Sequence, residues 1–352
     1  MIANRSTVSG GPSRVGSPAF FDTLNYTLTA SSAAIDIGAN AGVTTDFYGN
    51  ARPQGGAPDA GYAESPFTAP ASGFATCFAE YTGDNVTDFS SADASAVRSA
   101  LAAVAAGGIV KVAGYCPGVA VQGPGFDPGA QLGLITKTLT VLGGYTNTDW
   151  TTYDPVVNPT TLDALNGGRV LVANVATTLQ GFTLTNGNGG SNGGGGGLYA
   201  AGALTMTDVS VYSNTAIGGG GGAFATGVTV LNGGQFVSNT GGLGGGLATN
   251  STLAMTGTLF QGNRSNSIGG GGLNAFGVAT LINVNFVSNT AGASGGGLYT
   301  WAREVTLTNA LFVSNTASSL GGGGAYFDGP ATVSGGSFER NTAPNSSNGK
   351  GG

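Results

Sequence analysis

Few side chains in this sequence are able to carry chemistry. The chain contains no His, so acid–base catalysis and metal ligation through imidazole are excluded. Between residues 190 and 352 the only carboxylates are Asp208, Glu304, Asp328 and Glu339. Cleaving or eliminating a glycosidic bond needs carboxylates held close together, often with a Ca2+ ion beside them. These four fall at different places in the repeat described below, so they read as surface charges. Asp36, Asp46 and Asp59 are candidates for a Ca2+ site, because the ion takes several oxygen ligands. The more ordinary role of such residues is to cap turn backbone, with Arg52 as an ion-pair partner. The sequence therefore assigns no catalytic residue, no cofactor and no metal beyond that Ca2+ candidate. The Gly runs match G-x-G-x-x-G in form, but no β-α-β unit surrounds them, so nucleotide binding is rejected. Cys77 and Cys116 remain, as one disulfide or as two buried thiols. In a chain of extracellular character the disulfide is the simpler expectation, worth roughly 4 kcal/mol in the chain-entropy account.

Composition narrows the class further. Of 352 residues 67 are Gly, against a usual share of about 7%, and only 8% are charged, against about 25%. A net charge of -6 with 11 Lys and Arg offers no footprint for nucleic acid. Hydrophobic residues at 40% with so little charge are the reverse of a disordered composition. The Gly residues cluster in runs and do not fall at every third position, so collagen is excluded. No apolar stretch approaches the ~20 residues of a membrane-spanning helix. The start, Met1-Ile2-Ala3-Asn4-Arg5, lacks the apolar core of a signal peptide, so either processing precedes this numbering or Met1 is not the native start. Thr-rich outer faces are the default for strands and give no reason to infer ice binding. Asn-x-Ser/Thr triplets at Asn25, Asn85, Asn250 and Asn263 arise readily in so Asn- and Thr-rich a chain.

What must position any site is a repeat. From about residue 190 an apolar residue is followed three positions later by Asn: Val211/Asn214, Phe236/Asn239, Phe260/Asn263, Phe286/Asn289, Phe312/Asn315 and Phe338/Asn341. A second marker keeps the same period, a Gly run followed by Leu198, Ala223, Leu247, Leu273, Leu298 or Ala325. Five residues before the first marker stand Met206, Leu231, Met255, Leu281, Leu307 and Val333, and seven before it Leu204, Thr229, Leu253, Ala279, Val305 and Ala331. Positions two apart share one face of a strand. Gly, Thr and Asn are poor helix formers, and no 3.6-residue period is present. A unit of about 25 residues built of short strands cannot bury its own apolar face; stacked copies can. The expected fold is all-β, a right-handed parallel β-helix with coils stacked at about 4.8 Å. Phe should lie on Phe inside, and Asn on Asn at a corner, where Asn tolerates left-handed backbone and its amide can bond the copies above and below. Five consecutive Gly exceed what one turn requires, and the sequence suggests only close packing of that face against a neighbour.

The paired Gly-Gly-[Leu/Ala] and Phe-x-x-Asn markers resemble the repeats of polymorphic outer-membrane proteins and, more broadly, bacterial β-helix surface proteins. The resemblance covers about residues 110–352. Asp93 to Ala106 reads as an Ala-rich helix with Ser91 or Asp93 as its N-cap and Gly107-Gly108 beyond its end, followed by the strand Ile109-Val110-Lys111-Val112. This resembles the N-terminal cap of a β-helix, which places the solenoid at 91–352 and a linker at 66–90. Residues 1–65 resemble a choice-of-anchor end module, which in the family follows the last coil. The resemblance therefore implies a permuted order and an extracellular or cell-surface structural protein that is not an enzyme. Its expected partner is itself, as a head-to-tail filament completed by residues 1–65. A surface adhesin that binds glycans is the alternative, and a polysaccharide-active enzyme a more distant one.

Overall fold

The computed structural model describes residues 20–22, 27–28, 44–45, 75–121, 129–190, 193–301, 303–319 and 321–343. The chain divides into two units, Met1–Phe74 and Ala75–Gly352. In the first, Phe20–Asp22 pairs antiparallel with Thr27–Leu28. Apart from Thr44 and Thr45, the rest of the expected end module, with Asp36, Asp46, Asp59 and Arg52, lies outside the described residues.

The second unit is a parallel β-solenoid of about seven turns, each about 26 residues. Each regular turn contributes one strand to each of three faces, and a short fourth ladder joins Thr240–Gly241, Arg264–Ser265, Thr290–Ala291 and Thr316–Ala317. On the first face Leu204–Thr207, Thr229–Asn232, Leu253–Thr256, Ala279–Ile282, Val305–Thr308 and Ala331–Ser334 pair in parallel. On the second, Ser210–Tyr212, Gln235–Val237, Leu259–Gln261, Asn285–Val287, Leu311–Val313 and Ser337–Glu339 do the same. On the third, the column Leu198, Ala223, Leu247, Leu273, Leu298 and Ala325 stays in register. The chain passes from the first face to the second through a left-handed corner at Gly181, Asp208, Gly233, Gly257, Asn283, Asn309 and Gly335. Only Gly, Asn and Asp occupy it, the residues that reach this conformation most cheaply.

The core is columnar. Phe236, Phe260, Phe286 and Phe312 are buried. Their rings lie nearly parallel, with successive centroids 4.9, 5.1 and 4.7 Å apart. Val211, where the motif departs from Phe, occupies the same buried column. Phe338 departs from the expected burial. It stacks on Phe312 at 4.5 Å but is 48% exposed, because it lies in the last described turn and no described turn covers its outer face.

The long Gly runs have a steric cause. A Cβ on Gly221 would overlap the carbonyl oxygen of Thr240, and one on Gly222 would come within contact of Gly246 O and the Asn239 side chain. Here backbone packs on backbone: Gly196 N–H donates to Gly221 O at 2.8 Å and Gly197 N–H to Gly222 O at 2.9 Å. The run is therefore a ladder of touching main chains, and a single flexible turn does not describe it.

The one long helix described spans Ser95–Ala103, shorter at both ends than the expected 93–106. Val104 has already left helical backbone, with ψ 142°. The residue at the N-cap position is Ala94, yet both expected capping side chains satisfy first-turn donors. Asp93 Oδ1 accepts from Ser95 N–H at 2.8 Å, and Ser91 Oγ from Ala96 N–H at 3.0 Å. Ala96, Val97, Ala100 and Leu101 join the main core. Part of the expected linker is structured. Cys77–Glu80 pairs antiparallel with both Phe89–Ser91 and Ile109–Pro117, burying Cys77 and Ala79 beside Val110 and Val112. Cys77 and Cys116 form a disulfide across 39 residues of sequence.

Burial decides the cost of deleting a ring. Phe286→Ala should cost about 3–5 kcal/mol, and Phe338→Ala less than half of that, in urea unfolding followed by circular dichroism. Equal losses for the two would refute the columnar core.

Candidate functional site

The residues with the densest polar chemistry are the six Asn of the Phe-x-x-Asn motif. Asn214, Asn239, Asn263, Asn289 and Asn315 are completely buried, and Asn341 partly so. Asn263 illustrates the geometry. Its Oδ1 accepts from the backbone N–H and the Nδ2 of Asn239, both at 3.0 Å. Its Nδ2 donates to Phe236 O at 2.8 Å and to Asn289 Oδ1 at 3.0 Å. Two donors and two lone pairs are thereby filled, the full capacity of a carboxamide. Asn289 and Asn315 repeat the pattern with distances of 2.8–3.0 Å. Asp would bring a buried charge without donors. Gln would set the amide one methylene too far out.

The reason for Asn differs in one respect from the sequence expectation. The left-handed residue at this corner is the one before it: Asn186, Ser213, Ser238, Gly262, Ser288, Ser314 and Arg340. Ser and Arg gain nothing from that conformation, which is held by the amide column beside it. Asn is required for its hydrogen bonds and not for its backbone tolerance. The buried Asn263 is likewise closed to any modifying enzyme.

The column has two unlike ends. At its start the equivalent position is Gly187, whose N–H donates to Asn214 Oδ1 at 2.7 Å. At its other end Asn341 Oδ1 is filled by Asn315, and Asn341 Nδ2 donates to Phe312 O at 2.9 Å. The second Nδ2 hydrogen and the backbone N–H of Asn341 have no partner among the described residues. Around them Ala331–Ser334 is exposed along its whole length. Val333 is 47% exposed where the equivalent Leu307 is buried. This is the last described turn, and no described residue covers its strands or its apolar column members.

The remaining candidates among the described residues do not converge. Asp208 is a corner residue and shares no cluster with Glu304, Asp328 or Glu339. Among the described residues no three His, Cys, Asp or Glu side chains gather to hold a metal. Two cavities lined by described residues, of about 170 and 230 Å³, are smaller than the ~300–1,000 Å³ of ordinary ligand pockets.

Three clusters escaped the sequence reading. Asp163 is buried and accepts from Tyr115 Oη at 2.8 Å, Leu165 N–H at 2.8 Å and Asn186 Nδ2 at 2.9 Å. Burial, then the bond to Asp163, pushes the Tyr115 phenol up from its usual range. Glu80 and Lys111 face each other across paired strands. Phe276 stacks on Trp301, which is 46% exposed and meets Tyr299 edge-on. Only the last had a visible signal, aromatic residues recurring beside the third-face marker. This chain matches no protein-family model, no curated protein and no solved structure.

Two substitutions test the amide column. Asn263→Ala should lose about 3 kcal/mol or more, since it strands several buried donors and acceptors at about 1–3 kcal/mol each. Asn263→Asp should unfold more readily at pH 7 than at pH 3. Burial raises the carboxyl pKa, so its neutral, donor-bearing form is kept only at the acid end. A pH-independent Asp variant would contradict the column.

Proposed function

We propose that this chain is an extracellular structural protein, a subunit of a cell-surface filament that assembles head-to-tail with copies of itself. The observation that supports the reading is the columnar repeat itself. Each strand, Phe and Asn is matched by its copy in the next coil, so a coil of a second subunit in the same register complements the one it meets. The contact would be heterologous, and repeated it gives an open polymer. Residues 1–65 of the neighbouring subunit are the element that completes the end, by strand addition. The winding is right-handed, the rule for parallel crossovers. The Ser95–Ala103 helix caps the opposite end, consistent with its apolar face in the core. In this reading the protein catalyses nothing, needs no cofactor and binds no nucleic acid. Extracellular placement is supported by the single disulfide, since such bonds persist in oxidising compartments.

Truncation and end substitution test the polymer by negative-stain microscopy. Removing residues 1–65 should leave monomers that still bind the isolated 1–65 segment at the 331–341 end. Val333→Asp with Phe338→Asp should abolish both polymer and segment binding without lowering the content of β structure. Filaments of unchanged spacing from either variant would overturn the proposal. A surface adhesin that binds glycans is the second reading, favoured by the exposed Trp301, which stacks on the half-buried Phe276. An exposed flat aromatic face suits a neutral sugar ring. Under that reading Trp301→Ala removes glycan-array binding and leaves assembly intact.

A further inference from the structure

A primary amine, a primary carboxamide and a buried carboxylate meet at the first turn of the solenoid. Lys111 lies on the Ile109–Pro117 strand directly opposite Glu80. Beyond Glu80 the chain turns out and back through Asn85, whose backbone is left-handed with φ 63°. That turn brings the Asn85 amide to Lys111, whose Nζ donates to Asn85 Oδ1 at 2.8 Å. The same amine donates to Trp150 O at 2.7 Å and lies over the Tyr145 ring, 5.5 Å from its centroid. Glu80 Oε2 stands 3.8 Å from Nζ, on a side chain only 1% exposed. The other Glu80 oxygen accepts from Gly83 N–H, which fixes the carboxylate in place.

We propose that Lys111 and Asn85 become joined by an intramolecular isopeptide bond, with Glu80 as the proton-transfer group. Three physical conditions favour this. The amine already touches the amide oxygen, so the reaction is intramolecular and has the high effective concentration of a held pair. The Glu80 carboxylate, 1% exposed and held by Gly83 N–H, is fixed beside the amine. Glu80 is within one short movement of the proton it must take.

The step balances without an oxidant, metal or co-reactant. Glu80 takes a proton from the Lys111 ammonium. The lone pair of Nζ then forms a bond to Asn85 Cγ, and the carbonyl π electrons move onto Oδ1. Glu80 returns its proton to Nδ2, making it a leaving group, and takes a second proton from Nζ. The carbonyl re-forms, the Cγ–Nδ2 bond breaks with its electron pair on nitrogen, and the released ammonia takes the second proton from Glu80 and departs as ammonium. Lys111 has given up two of its three ammonium protons, Asn85 has lost its amino group, and Glu80 is unchanged. The product fastens the 81–88 loop to the strand that also carries Cys116, so disulfide and isopeptide would secure the same two strands.

Mass spectrometry of the full chain, after reduction and alkylation of the cysteines, tests the bond. The intact mass should fall below that of the sequence by one ammonia. A denatured tryptic digest should contain a branched peptide joining the segments that bear Asn85 and Lys111, with no cleavage after Lys111. Asn85→Gly keeps the left-handed turn, so it should fold, show the full mass and be cut after Lys111. Glu80→Gln should fold with the bond absent. Wild-type protein of full mass with ordinary cleavage after Lys111 overturns the proposal. So does an ammonia loss that maps to an Asn-Gly pair such as Asn166-Gly167, which is succinimide formation. A folded Glu80→Gln protein that still carries the branched peptide overturns the role of Glu80. The wild-type and Asn85→Gly masses decide the bond itself should Glu80→Gln fail to fold.

Discussion

A carboxamide sealed from water must find two acceptors and two donors inside the protein, and the rest of this structure follows from where they are found. Each buried Asn is satisfied mainly by the Asn of the next coil and by the main chain of the coil before. That arrangement works only if each coil places its Asn directly above the last. The requirement fixes the repeat length to within a residue or two, holds the preceding Ser or Arg in left-handed backbone, and brings the neighbouring Gly run against its copies so tightly that no side chain fits. Phe stacking and strand pairing add most of the buried area, but the amides set the register. Hydrophobic surfaces slide past one another at little cost, whereas a slipped amide loses several buried hydrogen bonds at once.

The regular coils were legible in the sequence because each constraint recurs at a fixed interval. Phe236 to Phe312 and Asn214 to Asn341 announce themselves through their spacing, and stacking converts spacing directly into contact. Features that occur once were not legible. The strands at Cys77–Glu80 and Phe89–Ser91, paired with each other, look like linker because the strand that ties them to the solenoid, Ile109–Pro117, lies on the far side of a helix. The pairing of Glu80 with Lys111 and of Tyr115 with Asp163 depends on register between segments that share no motif. Phe338 shows the opposite failure. It carries the motif, yet burial is a property of neighbours on both sides, and motif membership supplies only one.

The Gly runs combine both cases. Their excess over the needs of a turn was visible, but its cause was not, since it lies in carbonyl oxygens of the adjoining coil and corner. In the structure the cause is plain: Gly is selected there for volume, and left-handed backbone accounts for only some of the positions. Composition that reads as flexibility is here a sign of dense main-chain packing, and the low charge of the chain belongs with it.

The amide column also has a direction. Among the amide-to-amide bonds, each nitrogen gives to the oxygen of the next Asn, without reversal from Asn214 to Asn341. Each rung is therefore interchangeable with any other, and neither Phe nor Asn distinguishes the third coil from the fifth. A gene encoding such a rod can gain or lose whole coils by unequal recombination, and each event leaves both ends and the sense of the column untouched. Length then varies in steps of one strand spacing, about 4.8 Å, while insertions of any other size break the register. Rod length becomes a quantity that heredity can adjust by counting.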